Sequence, residues 1–170
     1  TTGFQNITSN QLVTVISSGA LLTLALLMAV GGSSGSTAGG MKLLRLGLIA
    51  KSVVATIKQA LAPDSALVSV SFQHLGKHVL TADVVKTALT VSALFAATYV
   101  AGSLVGIAHG YDATSSIFES IAMASNGGLS SGIITPGMPA SLELFYIFEM
   151  WAGRLEFITL IALIVKIVVS

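Results

Sequence analysis

The chain has no cysteine, and only 9% of its 170 residues are charged. The first absence excludes a disulfide frame and a thiolate metal site. The second excludes an ordinary soluble domain, in which about a quarter of the residues carry charge. The few charges are also unevenly placed: none precedes Lys42, and no lysine or arginine falls between Thr87 and Gly153. A formal net charge of +1 gives no electrostatic footprint for nucleic acid. Three prolines in the whole chain leave long stretches open to uninterrupted helix. Thr1 stands where an initiating methionine would, with no basic, apolar and small-residue leader pattern behind it, so the chain reads as a piece of something longer.

What is present is apolar. Hydrophobic residues make up 54% of the chain and the mean hydropathy is +0.90, the composition of an integral membrane protein. Leu12 to Val30 carries neither charge nor proline. At 1.5 Å per residue it reaches about 28 Å, close to the thickness of a bilayer's hydrocarbon core. Directly behind it lie ten small residues, Gly31, Gly32, Ser33, Ser34, Gly35, Ser36, Thr37, Ala38, Gly39 and Gly40. Each glycine costs about 1 kcal/mol relative to alanine inside a helix, so this stretch predicts a break. Backbone groups freed at membrane depth are tolerated only where they line a cavity or are buried in protein, which makes the break a candidate pore-lining loop. A plain flexible linker is the bland alternative. A phosphate-cradling loop fails on Met41, which intrudes before Lys42, and on Leu43, which stands where a hydroxyl is needed.

Charge placement sets the topology. Lys42, Arg45, Lys51, Lys58, Lys77 and Lys86 crowd one stretch, against only Asp64 and Asp83. The positive-inside rule puts 42–86 in the cytoplasm and 1–10 and 108–137 outside. Met41 to Leu61 keeps helical spacing and ends before Pro63. The alternation of Val68 to Phe72, followed by Val79 and Leu80, predicts a short hairpin. His74 and His78 would suit a metal only on a helix, and Gly76 argues for a turn instead. From Thr87 to Ala108 runs a second uncharged span, whose Gly102 and Gly106 read as ordinary close helix packing. Residues 112–123 are too few to cross and read as a re-entrant helix leading into a second glycine-rich loop, Ser125 to Gly132. The last span, Leu142 to Val169, carries Arg154 and Glu156 near its middle. A charge there faces a bundle interior or a water-filled path, unless Arg154 simply pairs with Glu149 or Glu156.

Four segments taken together, Thr1-Thr2-Gly3-Phe4, the Gly31–Gly40 loop running into Met41-Lys42, Asn126 to Gly132, and Met150-Trp-Ala-Gly-Arg-Leu-Glu156, resemble the C-terminal portion of the Trk/Ktr/HKT superfamily of potassium transporters, closest to its Trk-type membrane subunit. The resemblance implies an all-α membrane protein of the pore-loop, channel-like kind, with helix–pore loop–helix repeats, a broken, gate-containing helix and a small cytoplasmic hairpin. It divides the chain into the end of a third pore loop (1–10), the broken second helix of that repeat (11–62, gate loop 31–40), the hairpin (63–86) and a complete fourth repeat (87–170). It implies that Thr1, Thr2, Gly3, Asn126, Gly127 and Gly128 present backbone carbonyls to potassium, and that Gly31–Gly40 and Arg154 form the gate beneath them. Gly127 departs from the apolar residue usual in the family, which leaves the register of that filter segment open by one residue. The implied function is potassium transport across the cell membrane by a multi-pass protein that is not an enzyme and has no organic cofactor. Its implied partners are the remaining repeats, a second copy in a homodimer, and cytoplasmic nucleotide-binding regulatory subunits. The alternatives are a non-conducting structural or assembly segment, or a channel for another monovalent cation.

Overall fold

A computed structural model describes residues 5, 8, 9, 12, 14, 16–33, 36, 38–61, 71–73, 77–155 and 157–169. Helix α1 spans Ser18–Val30, α2 Leu43–Leu61, α3 Ala82–Ala108, α4 Ala113–Ala124, α5 Ala140–Leu155 and α6 Phe157–Val169, with short strands β1 Ser71–Gln73 and β2 Lys77–Val79 between α2 and α3. The strands pair antiparallel, Phe72 opposite His78. His74 lies outside the described residues.

Each helix end follows from local chemistry. α1 starts at Ser17, whose hydroxyl accepts from the N–H of Ala20 at 3.4 Å, and stops at Gly31, whose φ of 72° is the left-handed turn glycine allows. α2 ends at Leu61, two residues ahead of Pro63, and a proline disfavours helical geometry at the residue before it. α3 begins at Thr81, earlier than the uncharged run from Thr87, so Asp83 and Lys86 occupy its first turns. Asp83 suits that position because carboxylates favour the positive end of a helix. Within α3 the hydroxyls of Thr87, Thr90 and Thr98 each donate to the carbonyl four residues back at 2.9 Å, which satisfies them without an outside partner. α4 is capped by Asp112, whose Oδ2 accepts from the N–H groups of Thr114 and Ser115 at 3.0 and 3.2 Å.

The shortest of the longer helices sits at the centre. α4 packs against α1, α3 and α5, and eight of its residues, Ser116 and Phe118 to Ala124, are buried. Around it close Leu21, Ala25 and Met28 of α1, Val91, Phe95 and Tyr99 of α3, and Leu142 and Tyr146 of α5. Phe157 of α6 meets Phe95 edge to face, ring centres 4.8 Å apart.

Polarity runs the opposite way to a soluble domain. Ser116, Glu119, Ser120, Ser125 and Glu149 are fully buried, while Leu26, Leu27, Val100, Leu104 and Leu144 are 59–68% exposed. The outer faces of α1, α3 and α5 are thus apolar and the polar groups converge inward. Among the described residues one helix, α3, is long and apolar enough to cross a membrane, and α1 is a shorter apolar helix.

Candidate functional site

The second glycine-rich loop is built on the end of α4. Ser125 N–H donates to Ile121 O at 2.9 Å, Asn126 N–H to Met123 O at 3.0 Å and Gly127 N–H to Ala122 O at 2.8 Å. This is a Schellman cap, with Asn126 in the left-handed position at φ 52°. The cap uses the N–H groups of 126 and 127 and leaves the carbonyls of 126–128 outside it. Gly128 also has a positive φ, 80°, whereas Gly127 between them does not. The chain then climbs back along α4 and is tied down at Ser131. The Ser131 N–H donates to Glu119 Oε2 at 2.7 Å and its hydroxyl lies 2.6 Å from the same oxygen. Beside it, the Ser130 N–H donates to Gln5 Oε1 at 2.9 Å, and Ser9 lies next to Gly132. Gln5 and Ser9 therefore border the second loop, while Thr1, Thr2 and Gly3 lie outside the described residues.

The break between α1 and α2 is a looped-out excursion with a closed stem. Met41 N–H donates to Ala29 O at 3.0 Å, a separation of twelve residues where an unbroken helix has four, so eight residues leave the ladder. Leu43 N–H closes onto Gly32 O in the same way at 3.0 Å. The stem is backbone against backbone: a Cβ at Gly31 would overlap the Gly39 carbonyl, and one at Gly40 would come within 3.0 Å of the carbonyls of Met28 and Ala29. Only glycine permits this approach. Tyr99 of α3 reaches across to donate its hydroxyl to Ala29 O at 3.3 Å. Ser34, Gly35 and Thr37 lie outside the described residues.

The two loops meet. A Cβ at Gly39 would stand 2.5 Å from the Ser125 carbonyl oxygen and 3.2 Å from Asn126 Nδ2. A Cβ at Gly127 would stand 2.7 Å from Met28 Sδ, on the last turn of α1. From the third side, Gly153 of α5 lies against the Ala124 carbonyl, and Asn126 Nδ2 donates to Met150 O at 3.3 Å. Gly39, Gly127 and Gly153 thus let α4's end, the break loop and α5 approach closely, with the Asn126 amide bridging to α5. Arg154, next after Gly153, is exposed on this chain, while Glu149 turns inward, its Oε1 3.0 Å from the Ser120 hydroxyl. Glu156 lies outside the described residues.

Two features escaped the sequence reading. Gly102 and Gly106 are more than generic packing: Gly102 lies against Glu149 and Ser120, and Gly106 against Ser116 and Tyr146. The missing Cβ atoms make room for polar groups. In the sequence Glu119 is one charge on a short apolar helix. Its signal was that it is the sole ionisable residue between Tyr111 and the next loop's end apart from the capping Asp112.

Buried hydroxyls and carboxylates, an apolar exterior and a helix broken by an internal loop define a membrane protein of the transporter type. The whole chain, residues 1–170, matches the family model described as TrkH, cation transport protein, and the chain belongs to that family. It is also 34% identical over 162 residues to an uncharacterized cation transporter of Methanocaldococcus jannaschii, a match that covers 95% of this chain and 33% of the relative. The chain therefore spans about a third of the relative's length.

Proposed function

We propose that this chain supplies part of a potassium pathway across the cell membrane, with filter carbonyls from Thr1–Gly3 and Asn126–Gly128 and a gate formed by Gly31–Gly40 and Arg154. Residues 1–10 end a third pore loop, 11–62 carry the gated helix, 63–86 carry the cytoplasmic hairpin together with the first turns of α3, and 87–170 make the rest of the fourth repeat. The observation that best supports this is the close contact of Gly39 with the Ser125 carbonyl, beside the Asn126 side-chain amide, which sets the break loop directly against the base of the second glycine loop.

The chemistry follows from the backbone. A partly dehydrated cation needs oxygen dipoles in place of its water shell. Successive carbonyls of an extended chain point to opposite sides, and the alternating backbone hand at Asn126, Gly127 and Gly128 turns them toward one side. Beneath this, the loop blocks the path and the Arg154 guanidinium repels cations more strongly than it would in bulk water. Opening is transmitted from α2 through Met41, which is bonded to the Ala29 carbonyl. The force comes from nucleotide-binding regulatory subunits docked on the basic stretch Lys42–Lys86. The remaining repeats complete each pore, and two copies pair as a homodimer.

The test is potassium uptake by the complete transporter, once with Gly31–Gly40 shortened and once with Arg154→Ala. Both variants raise basal uptake on this reading. Unchanged or lower uptake by both, in folded protein, places the gate elsewhere.

A further inference from the structure

The second glycine loop is fastened to one helix at both ends. Its lower end is the cap at Ser125–Gly127, and its upper end is the carboxylate of Glu119 on the middle of α4, reached through the N–H and hydroxyl of Ser131 at 2.7 and 2.6 Å. Bonds of this length to a carboxylate are the strong, charge-assisted kind. Glu119 is fully buried and Ser131 nearly so, at 9% exposure, so water does not compete for the same atoms. Among the described residues, the hydrogen bonds to Glu119 come from this loop. A carboxylate is an expensive group to bury for packing alone, since isolated burial of a charge costs several kcal/mol. We infer that Glu119 is a positioning residue for ion selection: the length of its side chain fixes how far residues 128–131 stand off α4, and so the spacing of the carbonyls a cation meets.

This rests on the filter reading of Asn126–Gly128 and adds a residue to it that touches no ion. The inference separates geometry from charge. Glu119→Asp keeps the carboxylate but withdraws it by about one bond length, ~1.5 Å. Glu119→Gln keeps the length and an acceptor oxygen. Ser131→Ala removes the hydroxyl, with its short bond to Glu119 and its longer one to the Ser115 carbonyl at 3.3 Å, and leaves both the carboxylate and the backbone N–H.

The experiment uses the complete transporter reconstituted in liposomes, with relative uptake of potassium, rubidium and sodium measured for each variant. A hydrogen bond to a charged group contributes about 1.5–3 kcal/mol, equivalent to roughly a 10- to 100-fold change in the loop's preferred arrangement. Glu119→Asp is therefore expected to lower potassium-over-sodium discrimination by about tenfold or more. Glu119→Gln retains most of it, and Ser131→Ala loses about threefold. A residue needed only for folding would change the amount of active protein and leave the ratio alone. Folded Glu119→Asp with wild-type discrimination overturns the inference while the filter reading stands. If Glu119→Asp fails to insert, Ser131→Ala decides by the same ratio. A wild-type transporter that discriminates among none of the three cations overturns the filter reading, and this inference with it.

Discussion

Gly39→Ala is the sharpest probe of the contact between the two loops. Gly39 does not have a positive φ, so alanine is compatible with its backbone and the whole effect of the change is steric. The added methyl would stand 2.5 Å from the Ser125 oxygen and 2.7 Å from its carbonyl carbon. Both are backbone atoms at a capped helix end, where Ser125, Asn126 and Gly127 are each hydrogen-bonded to α4, so they do not swing aside as a flexible side chain would. Ordinary contact needs about 1 Å more, and overpacking of this kind costs about 1–3 kcal/mol. If the open arrangement lifts Gly39 from Ser125, that cost falls on the closed state alone and shifts the closed-to-open ratio by about 5- to 150-fold. The assay is basal rubidium uptake by the complete transporter, purified and reconstituted alone. Gly47→Ala serves as control, since that position on α2 has no neighbour within 4 Å. Gly39→Ala should raise basal uptake by about fivefold or more, with the control at wild-type level. Wild-type or reduced uptake by folded Gly39→Ala would refute the idea that this contact belongs to the closed state.

Gly102→Ala should be strongly destabilising, by about 3 kcal/mol, because the methyl would overlap both Glu149 and Ser120 in the interior; thermal unfolding in detergent reads this as a lowered midpoint. Gly110→Ala, in open space but at φ 88°, costs only backbone strain of about 1 kcal/mol, and the same scan orders the two variants. Asp112→Ala removes the acceptor for Thr114 and Ser115 at the start of α4 and should cost about 1 kcal/mol, with Asp112→Asn retaining most of the wild-type midpoint.

Much of the architecture was legible because helices announce themselves by length, charge and punctuation. Residues 112–123 read as a short non-crossing helix, and α4 runs Ala113–Ala124. The glycine stretch read as a break, and α1 stops at Val30 while α2 resumes at Leu43. What sequence periodicity does not carry is the identity of a partner across a turn. Nothing in the spacing of Glu119 and Ser131 marks them as bonded, since that pairing depends on the loop doubling back along α4. Gly102 and Gly106 looked like a seam for apolar helices, yet their neighbours are Glu149, Ser120, Ser116 and the Tyr146 hydroxyl. Small residues at a four-residue interval signal close approach, and only three-dimensional placement says what approaches. The start of α3 was placed late for a related reason: the uncharged run defines what lies in hydrocarbon, whereas the helix extends past it to its cap at Thr81.

The central claim is that the loop between α1 and α2 lines the cation path. The chain has no cysteine, so Ser36→Cys places a single thiol on that loop within this segment. The measurement is potassium flux through the reconstituted complete transporter before and after a charged, thiol-specific reagent is added from the cytoplasmic side. The account predicts that modification blocks flux and that high potassium slows the modification, since ion and reagent share one passage. Complete modification with flux unchanged would contradict it.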